Sequence, residues 1–241
     1  MNQKYKRLLD NRSDDNDFWP SFTDVLSTIL LVVLLFLMAI IISREDVLAE
    51  KERKIDEQEE IINYFVGIHS DIIEDLEAEF SQTELKIEID KETGAIKFQN
   101  DLLFETGKEQ IRQVFKNDLA VFIPAYFSIL YGKYSDHIAE VVVEGHTDDV
   151  GTFMNNLELS QRRAFSVVQY ILSDEFGDFP HKELVKDNIT ANGRSKSQLK
   201  YLEDGKTVDR ENSRRVEFKF RLKNAENIEE VIRELNTSTN Q

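Results

Sequence analysis

Eighteen consecutive residues, Val25 to Ile42, carry no charge and are almost all Leu, Ile, Val, Phe or Met. At about 1.5 Å per helical residue that run equals one hydrocarbon thickness, so the chain is read around a single transmembrane helix over residues 18–43. A cleaved signal peptide fits less well. The run is longer than the usual apolar core of such a peptide, no small-x-small site follows, and charge begins at once with Arg44, Glu45 and Asp46. Phe18 and Trp19 suit a membrane interface, and Pro20 suits a first helical turn. Lys and Arg give no orientation, because Lys4, Lys6, Arg7 and Arg12 on one side face Arg44, Lys51, Arg53 and Lys54 on the other.

One acid, Asp24, stands at the mouth of this run. It has two readings. Ser21-Phe22-Thr23-Asp24 matches S-x-x-D, in which the acid caps a helix N-terminus. Alternatively Asp24 is an ion-carrying carboxylate supported by Thr23, Ser27 and Thr28. An acid within the hydrocarbon costs about 2.5–3.5 kcal/mol on insertion scales and persists where it lines an ion route.

Beyond the span the chain separates by pattern. Residues 1–17 are a polar tail, and residues 44–83 lack Pro and have one Gly. Ile55, Ile62, Phe65, Ile72, Leu76 and Phe80 recur there at spacings of three, four and seven, which predicts a long helix with a narrow apolar stripe. The stripe suits pairing with a second copy or packing on the domain that follows. Residues 84–223 alternate strand and helix patterns: a hairpin of Leu85–Asp90 and Gly94–Phe98, a helix over Ile111–Leu130 that Pro124 must kink or break, and a buried strand Glu140–Gly145. An amphipathic helix Leu157–Leu172 and strands Asn188–Gly193 and Val216–Leu222 complete them. Helices on one face of a mixed sheet, an α+β domain, is the economical architecture. Residues 224–241 form a C-terminal helix and tail.

Composition narrows function. A net charge of −16 speaks against nucleic acid as a partner. With no Cys there is no disulfide or thiolate metal site, and four His leave little for zinc, so no cofactor or metal is expected. The densest information lies in Val143–Leu172, where a strand turns through Gly145 and His146-Thr147-Asp148-Asp149 into a helix. Helical spacing sets Asn156, Ser160 and Arg163 on one face, and Leu157, Ala164, Val168 and Ile171 on an opposite, core-facing one. Asp148 and Arg163 then flank one groove suited to a zwitterion, the acid taking an ammonium and the guanidinium a carboxylate; an internal Asp148–Arg163 salt bridge is the alternative. His146, Asp148 and Ser160 give no oriented base–nucleophile pair, so the chain is not read as an enzyme.

Glu144-Gly145-His146-Thr147-Asp148, the N-x-x-L-S-x-x-R-A helix (Asn156, Leu159, Ser160, Arg163, Ala164), Gly193–Gln198 and Arg210–Glu217 resemble, in order and spacing, the OmpA-like peptidoglycan-binding domain. That resemblance covers roughly residues 84–222. It implies that Asp148 and Arg163 clamp the diaminopimelate of the wall's stem peptide, with Asn156 and Leu159 lining the groove. Ser213 stands where the family has asparagine, and Leu103–Gly107 replaces its F-x-F-x-S-like opening; both are placed outside the clamp. A wall-binding domain implies a periplasmic C-terminal domain, a cytoplasmic N-terminus and the bacterial inner membrane. Tail, span with an aspartate near its inner end, helical linker and OmpA-like domain together resemble the MotB-like stator subunits. In these a dimer sits within a ring of a multi-span MotA- or ZorA-like subunit and the aspartate carries H+ or Na+. The Leu/Val-rich span and acidic linker are more similar to the stators of Zorya anti-phage systems than to flagellar ones. Motility, or a passive membrane-to-wall tether, is the alternative.

Overall fold

Alternation of apolar and charged residues in short runs demands a sheet with one buried face, and that is what the computed structural model contains. It describes residues 18–99, 103–105 and 107–223, and of Phe18–Ser21, Asp46 and Gln99 the backbone alone. The tail 1–17 and the C-terminal segment 224–241 lie outside the described residues, as do the side chains of Phe18 and Trp19. The chain divides into two units, residues 1–60 and 61–241.

In the first unit the structure is the start of helix α1 (Phe18–Phe80). Pro20 falls in its first turn, where a missing N–H costs nothing. Val25 to Ile42 are exposed along their whole length, and the helix is long and apolar enough to cross a membrane.

The second unit begins at Ile61, well before residue 84, because the end of α1 carries core side chains. Ile72 and Leu76 are wholly buried and Phe80 nearly so. The distal part of the apolar stripe is therefore used inside the domain, while Ile55 on the same helix is exposed.

A five-stranded sheet follows, with β1 (Ile87–Ile89), β2 (Ile96–Gln99), β3 (Ile138–Gly145), β4 (Ile189–Gly193) and β5 (Arg215–Leu222) in the order β1-β2-β5-β3-β4. Only β3 and β4 pair in parallel among the strands described, as the helical crossover between them requires. Register Val141↔Phe220 and Val143↔Phe218 sets these side chains on the apolar face. The intervening pairs Val142↔Lys219 and Glu144↔Glu217 point to the other.

Helix α2 (Gln113–Ser128) covers the apolar face through Phe122, whose ring centroid lies 4.9 Å from Phe98, 5.0 Å from Phe218 and 5.1 Å from Phe80. It runs through Pro124 unbroken and passes into one π-helical turn at Ile129–Lys133. An interior proline costs about 3 kcal/mol. Against it stand Phe115, Leu119, Phe122, Ile123, Tyr126 and Phe127, all fully buried and each worth about 1.5–3 kcal/mol, so packing wins.

Helix α3 (Phe153–Leu172) is capped by Thr152, whose hydroxyl accepts from Asn155 N at 3.2 Å. Its buried line is Asn156, Ser160, Arg163, Ala164, Val167 and Ile171, with Leu157 and Val168 only partly covered. The polar face assigned from spacing as opposite the core is thus the face turned inward. The cause is two glycines: a Cβ on Gly145 would stand 2.2 Å from the Ser160 carbonyl oxygen, and one on Gly193 2.6 Å from Gln161 N. Their absence lets the α3 backbone sit directly on the ends of β3 and β4, where only small or polar side chains fit. The Gln161 side chain completes this joint, donating to Ala191 O at 3.0 Å and accepting from Gly193 N at 2.7 Å, which covers the edge of β4. Short helices α4 (Lys182–Asn188) and α5 (Arg210–Ser213) precede β4 and β5. Gly145→Ala should destabilise the chain by about 1–3 kcal/mol, as overpacking does, read as a lower denaturation midpoint of the detergent-solubilised protein.

Candidate functional site

Two constellations carry chemistry, one in each unit. In the first, the described residues are helical from Phe18 on, so Ser21 is at least the fourth residue of α1 and Asp24 at least the seventh. A capping box needs Ser21 ahead of the helix. Asp24 lies instead about 9 Å or more along it, counting 1.5 Å per residue. Ser27 Oγ donates to Thr23 O at 2.7 Å and Thr28 Oγ1 donates to Asp24 O at 2.8 Å, so both hydroxyl protons are spent inside the helix and their lone pairs face outward. Steps of 100° per residue gather Thr23, Asp24, Ser27 and Thr28 into one polar face of an otherwise apolar helix.

In the second unit the strand β3 ends at Gly145 and the chain turns through His146–Asp149 into α3. Asp148 anchors this turn. Its Oδ1 accepts from Val150 N at 3.0 Å and its Oδ2 from Arg214 Nη1 at 3.0 Å. The next acid, Asp149, takes Arg210 Nε and Nη2 at 2.7 and 3.2 Å, a fork-to-fork pair. Asn156 reaches back from α3, donating to Asp148 O at 3.3 Å and Val150 O at 2.9 Å, so this nearly buried amide holds the turn that presents Asp148. Leu159 is half-buried beside it in sequence.

Arg163 is only 3% exposed. Its Nε donates to Lys108 O at 3.0 Å and its Nη2 to Glu105 O at 3.4 Å, while the guanidinium lies 5.1 Å from the centre of the Phe104 ring. Among the described residues Asp148 pairs with Arg214, and Arg163 donates to the backbone carbonyls of Lys108 and Glu105 rather than to Asp148. Of the two segments assigned outside the clamp, Leu103–Gly107 touches Arg163 through the Phe104 ring and the Glu105 carbonyl, whereas Ser213 bonds to Lys200 and only precedes Arg214. Thr106, in the same stretch, lies outside the described residues. Ser213 closes the loop before it, its hydroxyl accepting from Lys200 N at 2.9 Å. The signal for Arg214 was present in Arg210–Glu217, but a segment holding Arg210, Arg214 and Arg215 does not say which one meets Asp148.

The joint is completed by Ser195, fully buried and in the left-handed region at φ 52°. Its N donates to Ser160 Oγ at 3.0 Å, its Oγ donates to Phe153 O at 2.8 Å, and its carbonyl accepts from Thr147 N at 3.0 Å. Ser160 Oγ also donates to Leu157 O at 3.0 Å, so this hydroxyl is part of the scaffold.

Behind the turn, Glu144, His146 and Glu217 place ligand atoms within 4.8 Å of one another, a spacing that would admit a metal ion. The oxygens are already taken. Lys219 Nζ lies 2.7 Å from each carboxylate, Arg194 2.6 Å from Glu144 and Arg215 2.5 Å from Glu217, whereas the His146 imidazole stands farther off at 3.7 and 3.6 Å. A divalent ion would join three fixed cations, so charge argues for a salt-bridge network and against a metal centre. Burial pushes the Glu144 carboxyl up, but His146, Arg194 and Lys219 outweigh it and hold the group at about 2. Glu217 is likewise held well below the carboxylate range, with His146 and Arg215 outweighing its burial. Since the folded values lie below the ordinary 4.5, this stabilisation is complete above pH 4.5 and is lost as pH falls towards about 2. Glu144→Gln should lower stability at neutral pH and flatten the loss between pH 4.5 and 2, measured by chemical denaturation at stepped pH.

The domain geometry has counterparts in known proteins. Residues 103–214 match the OmpA family, and over 112 residues the chain is 32% identical to the outer membrane porin F of Pseudomonas aeruginosa, covering 42% of this chain and 29% of the porin. The periplasmic domain of Helicobacter pylori MotB aligns at a TM-score of 0.41 and 20% identity, over 64% of this chain and 92% of that one. The Zorya protein ZorB of Escherichia coli is 32% identical over 246 residues, spanning 97% of this chain and all of that protein. Likeness sustained through span, linker and domain alike means that this chain belongs to the family of the Zorya protein ZorB.

Proposed function

We propose that this chain is a stator subunit of an ion-driven rotary motor, anchored to peptidoglycan and acting in anti-phage defence. The observation that carries the reading is Asp24: an acid inside a membrane-length helix and six residues past its first described residue, on a face shared with Thr23, Ser27 and Thr28. A carboxylate so placed is costly in lipid unless it faces an ion path. It takes up and releases H+ or Na+ against a ring of a MotA- or ZorA-like multi-span subunit. The N-terminus is cytoplasmic, the span crosses the inner membrane, and the second unit is periplasmic. Two copies pair through the exposed apolar residues of α1 beyond the span, among them Leu48 and Ile55.

The anchor is the turn and helix around Asp148 and Arg163. Arg163 donates to the carbonyls of Lys108 and Glu105, and a ligand carboxylate would offer the same guanidinium a charged, bidentate acceptor. Asp148, fixed by Arg214 and Asn156, takes the ammonium of the stem-peptide diaminopimelate. Full-length kinship to ZorB supports defence over motility.

In a host carrying the gene with its native neighbours, Asp24→Asn should abolish protection in plaque assays, with unchanged membrane levels and unchanged swimming. Protection equal to wild type would reduce the chain to a passive tether. Arg163→Ala should weaken co-sedimentation with purified peptidoglycan about tenfold, the worth of a charge-assisted hydrogen-bond pair, without loss of membrane insertion.

A further inference from the structure

A cleft of about 520 Å³ opens between the β1–β2 hairpin and the segment 200–212, with Arg215 in its lining. Arg214 and Arg215 are consecutive in extended backbone, and side chains alternate along such a segment. One turns to Asp148 and the other lines the cleft, so the two sites flank a single strand.

Arg215 is a built element of this cleft. It is 5% exposed; its Nε donates to Glu217, and its Nη1 to Ser213 O at 3.1 Å and Gln198 O at 3.3 Å. Among the described residues its Nη2 makes no hydrogen bond. Lys86 and Lys200 also line the cleft and form no ion pair among the described residues, while Lys97 is bound by Glu88 at 2.9 Å and Asp90 at 3.0 Å. The lining acids are engaged too: Glu88 by Lys97, and Asp209 by Asn212 N and Nδ2 at 3.1 and 2.7 Å, as the cap of α5. Tyr201, 54% exposed, adds a flat wall on which a sugar or peptide plane can rest. In a chain of net charge −16, a concavity where Lys86 and Lys200 form no ion pair among the described residues, beside the incompletely engaged Arg215 guanidinium, selects an anion.

We propose that this cleft is a second subsite for the wall strand, taking a free carboxylate of the stem peptide whose diamino residue occupies the Asp148–Arg163 site. The inference rests on the wall-binding reading. Carboxylate and phosphate share the recognising chemistry, a planar or tetrahedral oxyanion against Lys and Arg. The wall peptide is the source favoured, because the cleft adjoins the diamino site across one strand.

The test is a binding titration of the full chain in detergent. Its probes are free diaminopimelate, a soluble disaccharide-tetrapeptide with free carboxylates, the same glycopeptide amidated, and inorganic phosphate as competitor. For Lys86→Gln/Lys200→Gln, affinity for the free glycopeptide should fall about tenfold, the worth of two solvent-facing charge contacts, with diaminopimelate binding unchanged. The glycopeptide amidated only at carboxylates outside its diaminopimelate should bind wild type as weakly as the free one binds the variant, and millimolar phosphate should not displace the free glycopeptide from wild type. Equal glycopeptide affinity in wild type and variant would overturn the subsite. Displacement by phosphate with no penalty for amidation would overturn the carboxylate assignment in favour of a phosphate site. Wild type that binds neither diaminopimelate nor glycopeptide would sink the wall-binding reading itself, a result distinct from loss of the second subsite alone.

Discussion

The backbone of α3 resting on Gly145 and Gly193 is the contact on which the rest of the domain depends. At separations where a Cβ would sit 2.2 Å from a carbonyl oxygen, helix and strand ends are locked in one relative position. That position carries Ser160 to Ser195, Asn156 to the Asp148 turn and Arg163 to the carbonyls of Glu105 and Lys108. Ser195 accepts a left-handed backbone, at a cost of about 1–2 kcal/mol, because three hydrogen bonds meet there, two from α3 and one from the turn at Thr147. A small set of polar atoms, fully buried, thereby aims the residues that would meet the wall.

The sheet divides its labour by face. Towards the helices it is aromatic, with Phe98 and Phe218 packed on Phe122 of α2, and towards the other side it is charged, with Glu144 and Glu217 opposed in register and neutralised by Lys219, Arg194 and Arg215. Like charges directly opposite are destabilising unless cations intervene, so the three basic residues are a condition of the fold rather than an addition to it. The same condition accounts for Arg215 lying buried between Glu217 and the cleft, with only part of its guanidinium engaged.

Helix α1 serves two chemistries along one element. Its early residues are apolar and exposed around the Asp24 face, and its last turns supply Ile72, Leu76 and Phe80 to the domain core. The core contacts mean that the helix is integral to the domain at its C-terminal end. A push or pull along those turns therefore meets packed side chains and not a loose linker.

From sequence alone, the apolar length of Val25–Ile42 determined a helix long and apolar enough to cross a membrane, and β/α alternation with the Glu144–Asp148, Asn156–Ala164 and Arg210–Glu217 motifs determined the mixed α+β domain. These are local properties: hydropathy, period and turn chemistry within short windows. Tertiary structure decided the partners. Helical spacing treats the Asn156–Arg163 face and the Ala164–Ile171 face alike, and only the absence of Cβ atoms at Gly145 and Gly193, distant in sequence, turned the polar one inward. In the same way Pro124 reads as a break until the burial of six neighbouring side chains outweighs it. Which arginine meets Asp148, and which lines the cleft, follows from strand alternation at Arg214 and Arg215, a matter of where β5 begins that no composition or spacing in the chain specifies.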